Sequence, residues 1–148
     1  MKKIDLDITI PLGNDLQTQK IPAGLEQYII KGGQVYSVEG SFGSLLVQLV
    51  NLPNYELRYT ILDCQESVSL RKEKKEMPKV EIALQNTMHW HYEGIGDTIL
   101  EENTCAISYL PETEATGIFN AGSQYRTLEI SISGSRSEER RVGKECRS

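Results

Sequence analysis

Lys79-Val80-Glu81-Ile82-Ala83-Leu84-Gln85-Asn86-Thr87-Met88-His89-Trp90-His91-Tyr92-Glu93 alternates almost without interruption. The even positions Val80, Ile82, Leu84, Met88, Trp90 and Tyr92 are apolar or aromatic. The odd positions Lys79, Glu81, Gln85, His89, His91 and Glu93 are polar. Successive side chains of a strand point to opposite sides, so the pattern predicts extended chain with one buried and one wet face. Val80, Ile82, Leu84 and Trp90 are then expected in the core, with His89 and His91 turned outward beside Glu81 and Gln85. A bulge at Asn86-Thr87 would break this continuity, because one inserted residue moves every later side chain to the other face.

Runs of the same kind lie on both sides. Lys3 to Ile10 alternates and is closed by Pro11 and Gly13-Asn14; Leu16 to Gly24 reads as connecting chain. Leu25 to Ile30 reads as a strand or a short helix, and Val35 to Phe42 as a strand. Leu45 to Val50 is almost continuously apolar and is expected to be covered on both faces. Leu57, Tyr59 and Ile61 alternate with Glu56, Arg58 and Thr60, and a weaker run holds Val68 and Leu70. Arg71 to Lys79 mixes acids with bases and ends on Pro78-Lys79, the composition of a solvated loop tip. Beyond the quoted stretch come Thr98 to Leu100, Thr104 to Leu110 (stopped by Pro111), Ala115 to Phe119 and Tyr125 to Ile132. In the last of these Leu128, Ile130 and Ile132 are expected inward and Thr127, Glu129 and Ser131 outward. No segment has a capped 3.6-residue period. The chain is expected to be all-β: a sandwich, jelly roll or small barrel.

Apolar content of 39% with 25% charged residues suits a soluble domain. No stretch approaches the ~20 apolar residues that span a bilayer, and the start lacks a secretory core, so no membrane partner and a cytoplasmic location are expected. Cys64 and Cys105 lie in strand-like runs and Cys146 in a charged tail, which is neither a disulfide framework nor a zinc motif. They read as small buried thiols of a reduced compartment. Residues 134–148 carry five basic and three acidic side chains, leaving 11 basic and 18 acidic in the first 133. A body that acidic does not attract nucleic-acid phosphates.

His89 and His91 are the only imidazoles. Two residues apart on a strand they share a face, which is how a small barrel could supply two metal ligands, with Glu93 as a third. Alternation argues against it, since a barrel metal site needs inward imidazoles. Trp90, Tyr92, Tyr109, Phe119 and Tyr125 are the aromatic candidates for lining a ligand cavity. No phosphate loop, nucleophile elbow or paired acid and base is present, so no catalytic residue and no cofactor is expected.

Three stretches carry a family cadence: Ile82 to Gly94; Asn103-Thr-Cys-Ala-Ile-Ser-Tyr-Leu-Pro111; and Phe119-Asn-Ala-Gly122-Ser-Gln-Tyr-Arg-Thr-Leu-Glu-Ile-Ser-Ile-Ser133. Together they resemble the N-terminal domain of AraC/XylS-type transcriptional regulators over about residues 45–133. Tyr109, Pro111, Gly122, Tyr125, Thr127, Ile130 and Ser133 stand where that cadence wants them. Ser131-Ile132 replaces the usual His-Phe, and Thr104-Cys105 a Gly-Gln-like pair. The resemblance implies a cupin-like jelly-roll, or double-stranded β-helix barrel, over residues 1–133. It also implies a small-molecule effector, a possible homodimer, and DNA contact only through a separate C-terminal helix-turn-helix part missing from this sequence. Two alternatives stand beside it: a small cupin-type metalloenzyme on His89, His91 and Glu93, and a ligand-free dimerisation module. Residues 134–148 resemble a cloning-vector tail and are set apart from the fold.

Overall fold

A computed structural model describes residues 4–7, 20–74, 78–109 and 112–132, with only the backbone at 4–7, 73 and 74. Among the described residues eleven strands form two facing sheets. The five-stranded sheet has the order β1 (Ile4–Asp7), β5 (Val68–Lys74), β10 (Thr113–Phe119), β7 (Met88–Tyr92), β8 (Gly96–Leu100). The six-stranded sheet has the order β2 (Gln34–Gly40), β3 (Gly43–Asn51), β4 (Tyr55–Cys64), β11 (Gln124–Ile132), β6 (Pro78–Gln85), β9 (Cys105–Tyr109). Every pairing is antiparallel except β1 with β5. The all-β expectation is met, and the rolled pair of sheets is a jelly roll.

The quoted stretch divides at Asn86. β6 belongs to the six-stranded sheet and β7 to the five-stranded one. Asn86 takes a left-handed backbone (φ 64), which asparagine tolerates better than most residues. Its Nδ2 donates to the Gln124 carbonyl at 2.6 Å, and its backbone N–H to Glu102 Oε2 at 2.6 Å. The inward face therefore runs through Lys79, Glu81 and Ala83, then changes parity to Met88, Trp90 and Tyr92. The expectation for Trp90 holds and both histidines are exposed. That for Val80, Ile82 and Leu84 is corrected: they face outward and are half-buried. Asn86→Ala should cost about 2 kcal/mol, from left-handed strain and the lost Nδ2 hydrogen bond. Asn86→Gly should cost less, and urea titration of the two variants checks the order.

Two further expectations are reversed. On β11, Tyr125, Thr127 and Glu129 are buried toward the lumen, while Leu128, Ile130 and Ile132 are half-buried outside. The charge run from Arg71 is not simply a loop: β5 continues to Lys74, and Lys72 is 7% exposed. The cause is a second apolar layer. Leu25, Tyr28, Ile29 and Ile30, around a 3-10 turn at Glu26–Tyr28, pack on Leu46, Tyr59, Ile61, Leu84 and Leu128. Leu45 to Leu49 are all buried, as expected for a strand covered on both faces. Gln48 secures the cover, its Oε1 accepting from the Ile30 N–H at 2.6 Å and its Nε2 donating to the Tyr28 carbonyl at 2.9 Å. Arg126 helps from outside, its guanidinium 5.0 Å above the Tyr28 ring and its Nη1 donating to the Tyr59 hydroxyl at 3.1 Å.

Cys64 is buried, but Cys105 is exposed on edge strand β9, contrary to the expectation for both. Among the described residues no helix is long and apolar enough to cross a membrane. The flanks of the first strand (Lys3 and Ile8 to Ile10), Leu16 to Gln19, Leu110, Pro111, Ser133, Cys146 and the tail at 134–148 lie outside the described residues.

Candidate functional site: the lumen between the sheets

The space between the sheets is apolar at one end and charged at the other. Phe42, Leu45, Val47, Leu62, Val68, Leu70, Met88, Trp90 and Phe119 belong to the main core. At the charged end Arg58 of β4, Lys79 and Glu81 of β6 and Glu129 of β11 come together, and Lys72 of β5 reaches across from the opposite sheet. Strand register dictates this meeting, since Glu129 pairs with Arg58 on one side and with Glu81 on the other.

Glu129 is 5% exposed. Its Oε1 accepts from Lys72 Nζ at 2.7 Å and faces Lys79 Nζ at 3.2 Å, while Oε2 lies 3.9 Å from Arg58 Nη1. Lys79 also lies 3.6 Å from Glu81, so one ammonium bridges two carboxylates that would otherwise repel across the ladder. Burial pushes the Glu129 carboxyl up. Lys72 first, then Lys79 and Arg58, outweigh that and hold it well below the usual carboxylate range. Lys72 Nζ also sits 4.3 Å from the Trp90 ring centroid, a cation–π contact.

A cavity of about 30 Å³ opens beside this cluster. Arg58, Thr60, Lys72, Thr127 and Glu129 form its polar wall; Leu62, Leu70, Met88, Trp90, Phe119 and Tyr125 form its apolar one. The aromatic walls are held edge to face, Trp90 on Phe119 at 5.7 Å and Phe119 on Tyr125 at 4.8 Å. The Tyr125 hydroxyl accepts from the Asn120 N–H at 3.0 Å, and the Thr127 hydroxyl lies 2.9 Å from Met88 Sδ. Arg58 Nε and Trp90 Nε1, on two residues that line the cavity, are buried without an acceptor. Gln124 Nε2 shares that condition outside the cavity. Each such group forfeits about 1–3 kcal/mol while unpaired.

Of the five aromatics read from the sequence, Trp90, Phe119 and Tyr125 line the cavity. Tyr92 is buried in the same core without lining it, and burial followed by the Glu81 charge pushes its phenol up to about 12. Tyr109 does not join them, being exposed on β9. Arg58, Lys72 and Glu129 had no signal of their own. Alternation reveals two faces but not which is inward, and a pair 57 positions apart leaves no local trace.

The metal alternative meets the same parity. His89, His91 and Glu93 are exposed, and His91 Nδ1 lies 2.7 Å from Asp97 Oδ1 on β8. The lumen presents no imidazole, and its carboxylates Glu81 and Glu129 are held by ammonium groups. No group of three His, Cys, Asp or Glu side chains suited to a metal exists among the described residues. This donor set does not fit the metal that cupin barrels can carry. Burial, and then Asp63, push the Cys64 thiol up to about 12, which removes it as a nucleophile at neutral pH.

Gly117 of β10 lies opposite Trp90 in the ladder. A Cβ there would stand 2.9 Å from Trp90 Cε3 and from Phe119 Cε2. Gly117→Ala should therefore displace the indole, costing about 1–3 kcal/mol. Trp90 is the only tryptophan of the chain, so a shifted emission maximum would report the move directly.

The fold has solved counterparts. The chain is similar to the Cnp3 cupin domain of Schizosaccharomyces pombe (TM-score 0.50, 10% identity, covering 66% of this chain and 71% of that one). It is also similar to a cupin domain from Bordetella pertussis (0.48, 9%, 61% and 94%). A third counterpart is an HTH_3 family transcriptional regulator from Vibrio cholerae (0.46, 6%, 62% and 52%). At such identities the likeness concerns the fold alone: a cupin jelly roll. No protein-family model matches the chain, and no curated protein does.

Proposed function

We propose that this cupin jelly roll is a non-catalytic, ligand-sensing regulatory domain of the AraC type, its effector held in the lumen. One observation carries the reading: a cavity between the sheets, walled by aromatic and aliphatic side chains and lined by no imidazole. Such a site can recognise a guest through hydrogen bonds and apolar contact, and it has no nucleophile or paired acid and base with which to transform one. Some residues of the regulator-like cadence have structural roles that suit a scaffold. Gly122 has φ 79 in the turn before β11, Tyr125 anchors Asn120, and Thr127 is buried beside Met88. Any DNA contact would come from a separate helix-turn-helix part, because the acidic body has no affinity for phosphates.

A thermal-shift screen against small metabolites tests the sensing claim: a lumen ligand should raise the melting temperature, and by more as its concentration rises above its Kd. Sequencing the gene beyond codon 133 tests the regulator class, which expects two helix-turn-helix signatures. The rival dimerisation module draws on the outside of the six-stranded sheet. There Val50, Leu57, Ile130, Val80 and Ile107 stand in register across five strands, Ile107 being 81% exposed. A protein that sediments as a dimer and is stabilised by no metabolite would favour that module over the sensor.

A further inference from the structure

Among the described residues four strands end the two sheets: β1 and β8 on one, β2 and β9 on the other. Three of them carry residues that discourage further pairing: Asp5 and Asp7 in β1, Gly96 and Asp97 in β8, Glu39 and Gly40 in β2. β9 reads Cys105-Ala106-Ile107-Ser108-Tyr109, with no charge, glycine or proline. Its backbone is turned to receive a strand. The Ala83 N–H donates to the Thr104 carbonyl at 3.1 Å, and the Ala83 carbonyl accepts from the Asn103 N–H at 2.7 Å. Ala83 thus directs its peptide groups at β9, and by the two-residue period so do Glu81 and Lys79, opposite Ala106 and Ser108. The alternate residues Cys105, Ile107 and Tyr109 turn theirs to the open edge. All three side chains are exposed, Ile107 at 81% and Tyr109 at 59%.

We infer that β9 is a self-pairing edge: two copies join it antiparallel about a two-fold axis at Ile107, continuing the six-stranded sheet from one molecule into the next. Backbone groups arrayed in this way take an extended strand, and the side chains select this one. Ile107 stands opposite itself, and Cys105 opposite Tyr109 on either side, a small side chain against a large one. On the other face Ala106 meets Ser108, two small ones. The row Val50, Leu57, Ile130, Val80 and Ile107 then runs unbroken into its copy. A foreign strand finds no charge on β9 to select it. Carboxylates stand beyond its ends, at Glu101, Glu102 and Glu112, where like charges of the two copies meet, so salt should tighten the pair. Five residues a side fall well short of the ~20–30 in a standard interface, so the dimer is weak and concentration-dependent. Pairing of this kind requires nothing of the lumen, and it uses the edge of the sheet rather than its outer face.

Sedimentation velocity from micromolar to millimolar concentration should show monomer passing into dimer, and further so at higher salt. Ile107→Pro removes an outward N–H while leaving the ladder to β6 its hydrogen bonds, and should weaken the dimer about tenfold or more. Leu57→Lys, on the outer face and three strands from the edge, should not. A covalent trap reads the register even if Ile107→Pro folds poorly. With Cys146→Ser throughout, Tyr109→Cys sets the introduced thiol opposite Cys105 of the other copy, at the ~5.5 Å Cα separation of a hydrogen-bonded pair and within disulfide reach. Oxidised glutathione should give a cross-linked dimer on a non-reducing gel from this variant. It should give none from the parent, whose two Cys105 thiols lie at opposite ends of the ladder. A wild type that stays monomeric, a dimer that survives Ile107→Pro, or a dimer that Tyr109→Cys does not trap would overturn the inference. A dimer lost in Leu57→Lys but kept in Ile107→Pro would put the contact on the outer face instead. A monomer leaves the sensing reading standing, since the metabolite screen alone decides that one.

Discussion

Glu129→Gln should lower the unfolding free energy by about 3–5 kcal/mol at neutral pH, read from urea titration. The carboxylate is buried with three cations around it, and an amide in its place leaves Lys72 and Lys79 without their common counter-ion. Removing one partner of a buried pair costs far more than removing both, because the survivor keeps its desolvation penalty. The double variant Lys72→Met/Glu129→Leu should therefore recover part of the loss. Acid should act like the substitution. The folded carboxyl titrates below its unfolded value, so between the two the unfolded chain binds more protons and stability rises with pH. The contribution is complete above the unfolded pKa of about 4.3 and is lost as pH falls through the folded one. Glu129→Gln should lack that part of the acid sensitivity, so the gap between the two proteins should close at low pH.

Gly43→Ala should be at least as damaging, about 4 kcal/mol or more, and should leave little folded protein at 37 °C. Gly43 opens β3 with φ 125, a backbone conformation that alanine rarely adopts. A Cβ would stand 1.9 Å from the Asp63 carbonyl oxygen, a backbone atom with nowhere to retreat. Both Gln65 and Glu66 donate to the Phe42 carbonyl just before it, and Gly43 pairs with Cys64. Phe42 is itself core, so a shifted turn opens the apolar end of the lumen. Soluble yield and the far-UV circular dichroism midpoint would register the change. A wild-type midpoint would mean that the turn is not built this way.

Alternation by itself determined that the chain is a set of short strands, since a two-residue period survives whatever those strands pack against. It also placed Trp90 inward and His89 and His91 outward, because β7 has one wet face and only one aromatic set. The almost continuous apolar run at Leu45 to Val50 announced a strand covered on both sides, and Leu45 to Leu49 are buried while Val50 is half-buried. Only the tertiary structure decided which face of β4, β6 and β11 looks into the lumen. Their outer face is apolar because the segment around Leu25 and Tyr28 covers part of it, and their inner face is polar because Arg58, Lys79, Glu81 and Glu129 neutralise one another with Lys72. Hydrophobicity alone assigns such a strand the wrong way round. The parity change at Asn86 was equally beyond a local reading: whether an asparagine turns left-handed depends on Gln124 and Glu102, which meet it only when the sheets close.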